Sequence, residues 1–152
     1  MMKKLLITLI VFCGSVCSVY SQNKTIKGRV ISNQFDVLIG VPIMINDTVE
    51  VGKTDINGFF QIEIPVFEKK VSFKFVGVDP ATIELVDKCD NVEVVMMLSS
   101  TYDFKSLKKV DKLRMKKFKT LPELHKEAFE KGLFKTDKPC YTQEFISYCK
   151  KK

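Results

Sequence analysis

The chain has no tryptophan and a single histidine, His125, among its 152 residues. A catalytic zinc centre needs three protein ligands and an open position, and one histidine followed by Lys126 and Glu127 does not provide the spacing. Nucleophilic catalysis through a Ser–His or Cys–His pair would have to recruit the same residue, and the sequence has no nucleophile elbow to present a serine. No glycine-rich phosphate loop is present either. His125 therefore reads as a helix-surface residue, and neither a catalytic centre, a cofactor site nor a metal site is expected. A long apolar run is also missing. The stretch Leu5 to Val16 falls short of the ~18 residues that a membrane span requires.

That short run has a different meaning at the N-terminus. Lys3 and Lys4 precede it, and Val19-Tyr20-Ser21 places small or medium side chains before a cut. This is the layout of a secretory signal peptide over residues 1–21, with a retained signal anchor as the alternative. Lipoprotein processing at Cys13 or Cys17 is disfavoured, because Phe12 and Val16 stand where a small residue is wanted. About 130 residues would then remain, which is one ordinary domain.

Charge divides the remainder. Residues 22–100 carry eight Lys/Arg against eleven Asp/Glu, whereas residues 101–152 carry fifteen against seven. The asymmetry predicts two regions, a domain over 22–100 and a basic C-terminal extension over 101–152.

Residues 22–100 alternate with the period of two that puts every second side chain on one face of a sheet. The alternating segments are Thr25–Ile31, Val41 to Ile45, Phe60 to Ile64, Val71 to Phe75, Ile83 with Leu85, and Val92 to Leu98. Lys27, Gln61, Glu63, Ser72, Lys74, Glu84 and Glu93 are assigned to the polar face. Short strands at this spacing predict a mainly β sandwich closed around one small core. Within it, Asp55-Ile56-Asn57-Gly58 reads as a structural turn. Asn-Gly is a strong hairpin signal, and the Asp55 carboxylate can bond amides two residues on. A calcium loop is the competing reading. Gly58 comes too early for one, and no bidentate glutamate follows in register.

In order along the chain, Lys27-Gly28-Arg29-Val30, Gly40-Val41-Pro42-Ile43, Lys53 to Phe60, and Val71 to Gly77 resemble the carboxypeptidase regulatory-like domain. The resemblance covers residues 24–98. It implies a seven-stranded, prealbumin-like or Ig-like β-sandwich without general catalytic residues. Such domains are common in secreted and outer-membrane proteins of the Bacteroidetes, and extend their TonB-dependent nutrient receptors. Val37 and Val78 depart from the family pattern at turn and packing positions. The peptidase that lends the family its name uses a His-x-x-Glu pair with a distant second histidine, which this chain lacks.

Beyond residue 100 the period changes. Phe104, Leu107, Val110, Leu113 and Phe118 recur at near-helical spacing, and Thr120 with Glu123 has the form of a capping box. Two helices are expected, about 104–118 and 121–131, the second ending at Gly132. Lys105, Lys108, Lys109, Lys112 and Lys116 surround the first stripe. They could meet an anionic surface or partner, or simply face water. Nucleic acid is not an expected partner, because no stacking aromatics are interleaved with the lysines.

Three cysteines follow the signal segment. An exported chain meets oxidising conditions, and the short spacing favours a Cys140–Cys149 bridge with Cys89 free, against three reduced thiols as the alternative. The reading is an exported, non-catalytic binding or assembly module of the bacterial cell envelope, in the periplasm, at the outer membrane or outside the cell. Its ligand would be an envelope protein, a glycan or a peptide. The alternative is an accessory subunit of a hydrolase or of a TonB-dependent uptake system.

Overall fold

The computed structural model describes residues 22–150. The signal-peptide assignment, with Cys13 and Cys17, lies outside the described residues.

Seven strands fall within 22–100: β1 (Asn23–Ser32), β2 (Pro42–Ile45), β3 (Val49–Lys53), β4 (Phe59–Pro65), β5 (Lys70–Phe73), β6 (Ala81–Leu85) and β7 (Asn91–Met96). Two helices, α1 (Leu107–Phe118) and α2 (Leu121–Glu130), follow. An eighth strand, β8 (Tyr141–Glu144), and a short 3-10 turn over Tyr148–Lys150 come last. One sheet has the order β4-β1-β7, with β1 and β7 parallel; the other has the order β3-β2-β5-β6-β8. The expected β-sandwich is present, and the basic region is more than a helical appendage because it supplies β8.

The alternating residues do what their period dictates. Ile26, Val30, Ile43, Ile62, Ile64, Phe73, Ile83, Val92 and Val94 are buried between the sheets. Phe60 meets Phe73 edge to face at 5.7 Å, a favoured aromatic geometry. Gly28 sits where β1 is squeezed between β4 and β7. A Cβ there would lie 1.7 Å from the Val92 carbonyl oxygen, so no other residue fits without moving the backbone. β3 escaped the sequence reading because it is an edge strand with little buried surface, so its residues carry no clean alternation.

The Asp55–Gly58 turn is tight but is not a hairpin. The Asp55 carboxylate accepts from the Asn57 and Phe59 amides, each at 2.8 Å. Only Gly58 has positive φ, at 75°. The turn carries the chain from β3 in one sheet to β4 in the other. The hairpin with both central residues at positive φ is Asn46-Asp47, between β2 and β3, with φ of 52° and 59°. Asparagine and aspartate tolerate that conformation better than most residues.

A second, smaller core lies on the outer face of the three-stranded sheet. Ile31 and Val95 point away from the sandwich and are covered by Ala128 of α2 and by Phe134. β7 is therefore buried on both faces, and Glu93, assigned to the solvent face, is buried as well. Its carboxylate is satisfied by the Lys135 amide at 2.7 Å and by the Thr136 amide and hydroxyl. Ser72, also assigned to the polar face, is likewise buried.

Candidate functional site

The first helix follows the stripe read from the sequence only in part. Phe104 is fully exposed with φ of 61°, and α1 begins only at Leu107, which is itself exposed. The inward face of α1 is built on Val110 and Arg114. The Arg114 guanidinium meets the Asp79 carboxylate at 3.0 Å, Asp111 at 3.3 Å and the Ile146 carbonyl at 2.8 Å. It also stacks on the Tyr148 ring at 3.8 Å. A buried charge is tolerated only when paired and hydrogen-bonded in this way. Arg114 thus ties α1 to the sandwich and the C-terminal segment to α1. Its position one lysine-rich turn along the helix hid it in the sequence.

Asp111 completes this clasp. Its carboxylate accepts the Ser147 hydroxyl and the Tyr148 and Cys149 amides at 2.5 to 3.0 Å. These donors, the hydroxyl foremost and then the Tyr148 amide, hold its pKa well below the usual carboxylate range.

The cysteine expectation is corrected. Cys89 and Cys140 form the disulfide, with Cα atoms 5.5 Å apart, and Cys149 is free and exposed. Pairing of β8 with β6 explains the choice. It sets Cys140, next to Tyr141, against the turn that follows Leu85, where the Val86 amide meets the Cys140 carbonyl. Cys149 is held on α1 by Asp111 instead.

Thr120 and Glu123 do not form a capping box. Thr120 is in the helical region without a side-chain cap bond, and its hydroxyl donates to the Lys117 carbonyl at 2.7 Å. The α1–α2 junction is so tight that Thr120 acts as the end of one helix as much as the start of the next. Gly132 terminates α2 with φ of 71°. Lys105, Lys108, Lys109, Lys112 and Lys116 are all exposed.

His125 is the largest departure from the sequence reading. It is buried at 3 % exposure rather than on the helix surface. Its ring packs against Phe134 with centroids 4.8 Å apart, and neither ring nitrogen has a hydrogen-bond partner among the described residues. Burial lowers its pKa, opposed by the nearby Asp137 and Glu93 backbone and by the charges of those two residues. Desolvation prevails, so the ring is neutral near pH 7.

His125 lines a cleft of about 540 Å³, walled by Val95 of β7, Met115 and Phe118 of α1, Leu121 and Pro122 of α2, and Tyr141 of β8. The cleft lies where β7 and β8, end strands of the two sheets, come together. Tyr141 bridges them by donating its hydroxyl to the Glu93 carbonyl at 2.6 Å. Burial pushes the phenol far above its ordinary pKa, so it stays protonated. Lys119, Thr142 and Gln143 add polar groups to a predominantly apolar lining. No sequence signal pointed here, because the cleft depends on β8 returning from the tail.

Among the described residues no group of three or more His, Cys, Asp or Glu is placed to hold a metal. None of the described helices is long and apolar enough to cross a membrane. A family model for the CarboxypepD_reg-like domain matches residues 26–108. No curated protein matches the chain.

Proposed function

We propose a function from one premise: the chain belongs to the carboxypeptidase regulatory-like domain family. The family is non-catalytic and points to a binding or regulatory module. The finer reading is an exported binding module of the bacterial cell envelope that takes its ligand in the cleft between the helices and the sandwich. Export rests on the layout of residues 1–21. The observation that carries the binding role is the apolar cleft itself. Its volume is in the ~300–1,000 Å³ range of small-molecule sites, and it has the usual make-up of apolar walls with a few polar groups. The buried His125 ring forms part of the wall of this cleft.

Native mass spectrometry of the protein isolated from envelope fractions tests this reading. The expected result is a chain starting near Gln22, carrying a small molecule that leaves on denaturation. A chain retaining Met1 in the cytosolic fraction would overturn the exported reading. Unaided turnover of a substrate by the pure protein would overturn the non-catalytic one.

A further inference from the structure

We propose that the cleft takes a short extended peptide, which adds as a further strand to the open edge of β8 and turns alternate apolar side chains onto the helices. This rests on reading the cleft as the module's binding site. Tyr141, Thr142 and Gln143 are consecutive residues of β8, and all three line the cleft. Neighbouring side chains in a strand point to opposite faces, so one cavity touches three in a row only by running along the strand's edge. The ladder sets the phase of that edge. The Val86 amide donates to the Cys140 carbonyl, and alternate residues of an antiparallel pair turn their backbone groups to the same side. Thr142 and Glu144, opposite Glu84 and Thr82, therefore bond β6, whereas Tyr141 and Gln143 turn their amides and carbonyls away from it. The Leu85 amide, opposite Tyr141, donates to the Lys69 carbonyl on the β5 side, which requires the same phase. No hydrogen bond among the described residues reaches the Tyr141 or Gln143 backbone.

The other three sheet ends are blocked against such an addition by bulges, charges or covered backbone groups, the usual protections of an edge. The β2–β3 pair is bulged, with Val51 unpaired between Glu50 and Gly52, and β3 carries Glu50 and Lys53 at its surface. On β4 the Phe59 amide and carbonyl are both held by Asp55, and Glu63 is exposed. On β7 the Glu93 and Met97 carbonyls are taken by the Tyr141 hydroxyl and the Asp79 amide. The edge at Tyr141 and Gln143 has none of these devices, and it faces the apolar walls of Met115, Phe118, Leu121 and Pro122. A purely apolar molecule would fill those walls and leave the edge unpaired. A peptide strand satisfies both, its backbone pairing with β8 and every second side chain entering the walls. β8 is four residues long and the cleft holds about 540 Å³, so the match is to a few residues and not to a folded partner.

The probe is a pool of blocked pentapeptides with valine, leucine or phenylalanine at the first, third and fifth positions and threonine between them. Binding to the purified protein is followed by calorimetry and by backbone ¹H–¹⁵N spectra. A member of the pool should bind, shift the Tyr141 and Gln143 amide signals and slow their exchange. That member is then remade with N-methyl groups on one or the other alternate set of its amides. One set should lower the affinity about tenfold, as loss of a hydrogen bond does, and the other should leave it unchanged. Gln143→Pro removes an outward donor and no bond to β6. It should lower the affinity by a similar factor; if it does not fold, the methylated peptides decide alone. Both methylated forms binding as tightly as the parent, or a folded Gln143→Pro binding as the wild type does, would overturn strand addition while leaving the cleft as the binding site. Decanol shifting the Met115 and Phe118 signals where no peptide does would have the same meaning. No response to peptides or decanol would overturn the cleft reading and this proposal together.

Discussion

His125 shows how a residue's surroundings decide its role. At i+4 from Leu121 it faces inward with that stripe, so the fold takes it into the apolar seam. Its folded pKa lies below the unfolded value. In the window between those two values, therefore, the unfolded chain binds the extra proton. Stability contributed by the neutral ring is present above the unfolded value, near 6.5, and is lost as pH falls below it. His125→Phe keeps the ring's packing against Phe134 and removes two unpaired polar atoms. The variant should be more stable by ~1 kcal/mol at pH 7 and by more at pH 5, with the slope of stability near pH 6 abolished. Urea denaturation of the variant and the wild type at several pH values checks this. An unchanged slope would show that the ring is solvated.

The sequence reading of this residue failed for a specific reason. Helical period alone does not say which stripe faces in when a helix is polar on most sides. The same ambiguity concealed Arg114, which is buried while Leu107 on the expected stripe is exposed. The sheet was much more legible. Ile26, Ile43, Ile62, Phe73 and Val94 are buried as their alternation requires, because a strand has only two faces and one must be covered. Glu93 broke that rule only where α2 and the loop after it cover the second face.

Among the elements, β8 is decisive. It is a four-residue strand with a single strongly apolar side chain, Tyr141, and nothing local marks it. Its place comes from pairing with β6 and from the bridge between Cys89 and Cys140, 51 residues apart. Closing a loop of that size should stabilise the fold by roughly 2–4 kcal/mol. The double variant Cys89→Ser with Cys140→Ser should lose about that much in chemical denaturation, and mapping of the unreduced wild type with a glutamate-specific protease, which cuts after Glu144 and so separates Cys140 from Cys149, should yield one peptide pair linking Cys89 and Cys140. A linked pair containing Cys149 would contradict the register of β8.

The clasp around Asp111 is the second elemental device. Its depressed pKa means that the stabilisation it gives is present above the unfolded carboxylate value and is lost only as pH falls through the lower folded one. Asp111→Asn removes the charge that orders Ser147, Tyr148 and Cys149. Desolvation first, and then the Asp111 carboxylate, raise the Cys149 pKa. Iodoacetamide should therefore alkylate Cys149 severalfold faster in the variant at pH 8. Equal rates would mean that the turn over Tyr148–Lys150 holds without the carboxylate.

At the scale of the molecule, the sandwich and the basic region are one structure with a seam between them. The charge boundary near residue 100 is real in the sequence, yet the tail returns to complete the five-stranded sheet and its helices cover the outer face of the three-stranded one. The seam gives the module its concave surface. Hydrogen exchange of the protein with and without the small molecule that it carries from envelope fractions tests that account most directly. Binding at the seam predicts added protection over residues 115–125 and 139–143, with the turn at 55–58 unchanged. Protection confined to the loops around Ile56 and Phe67, or none anywhere, would contradict it.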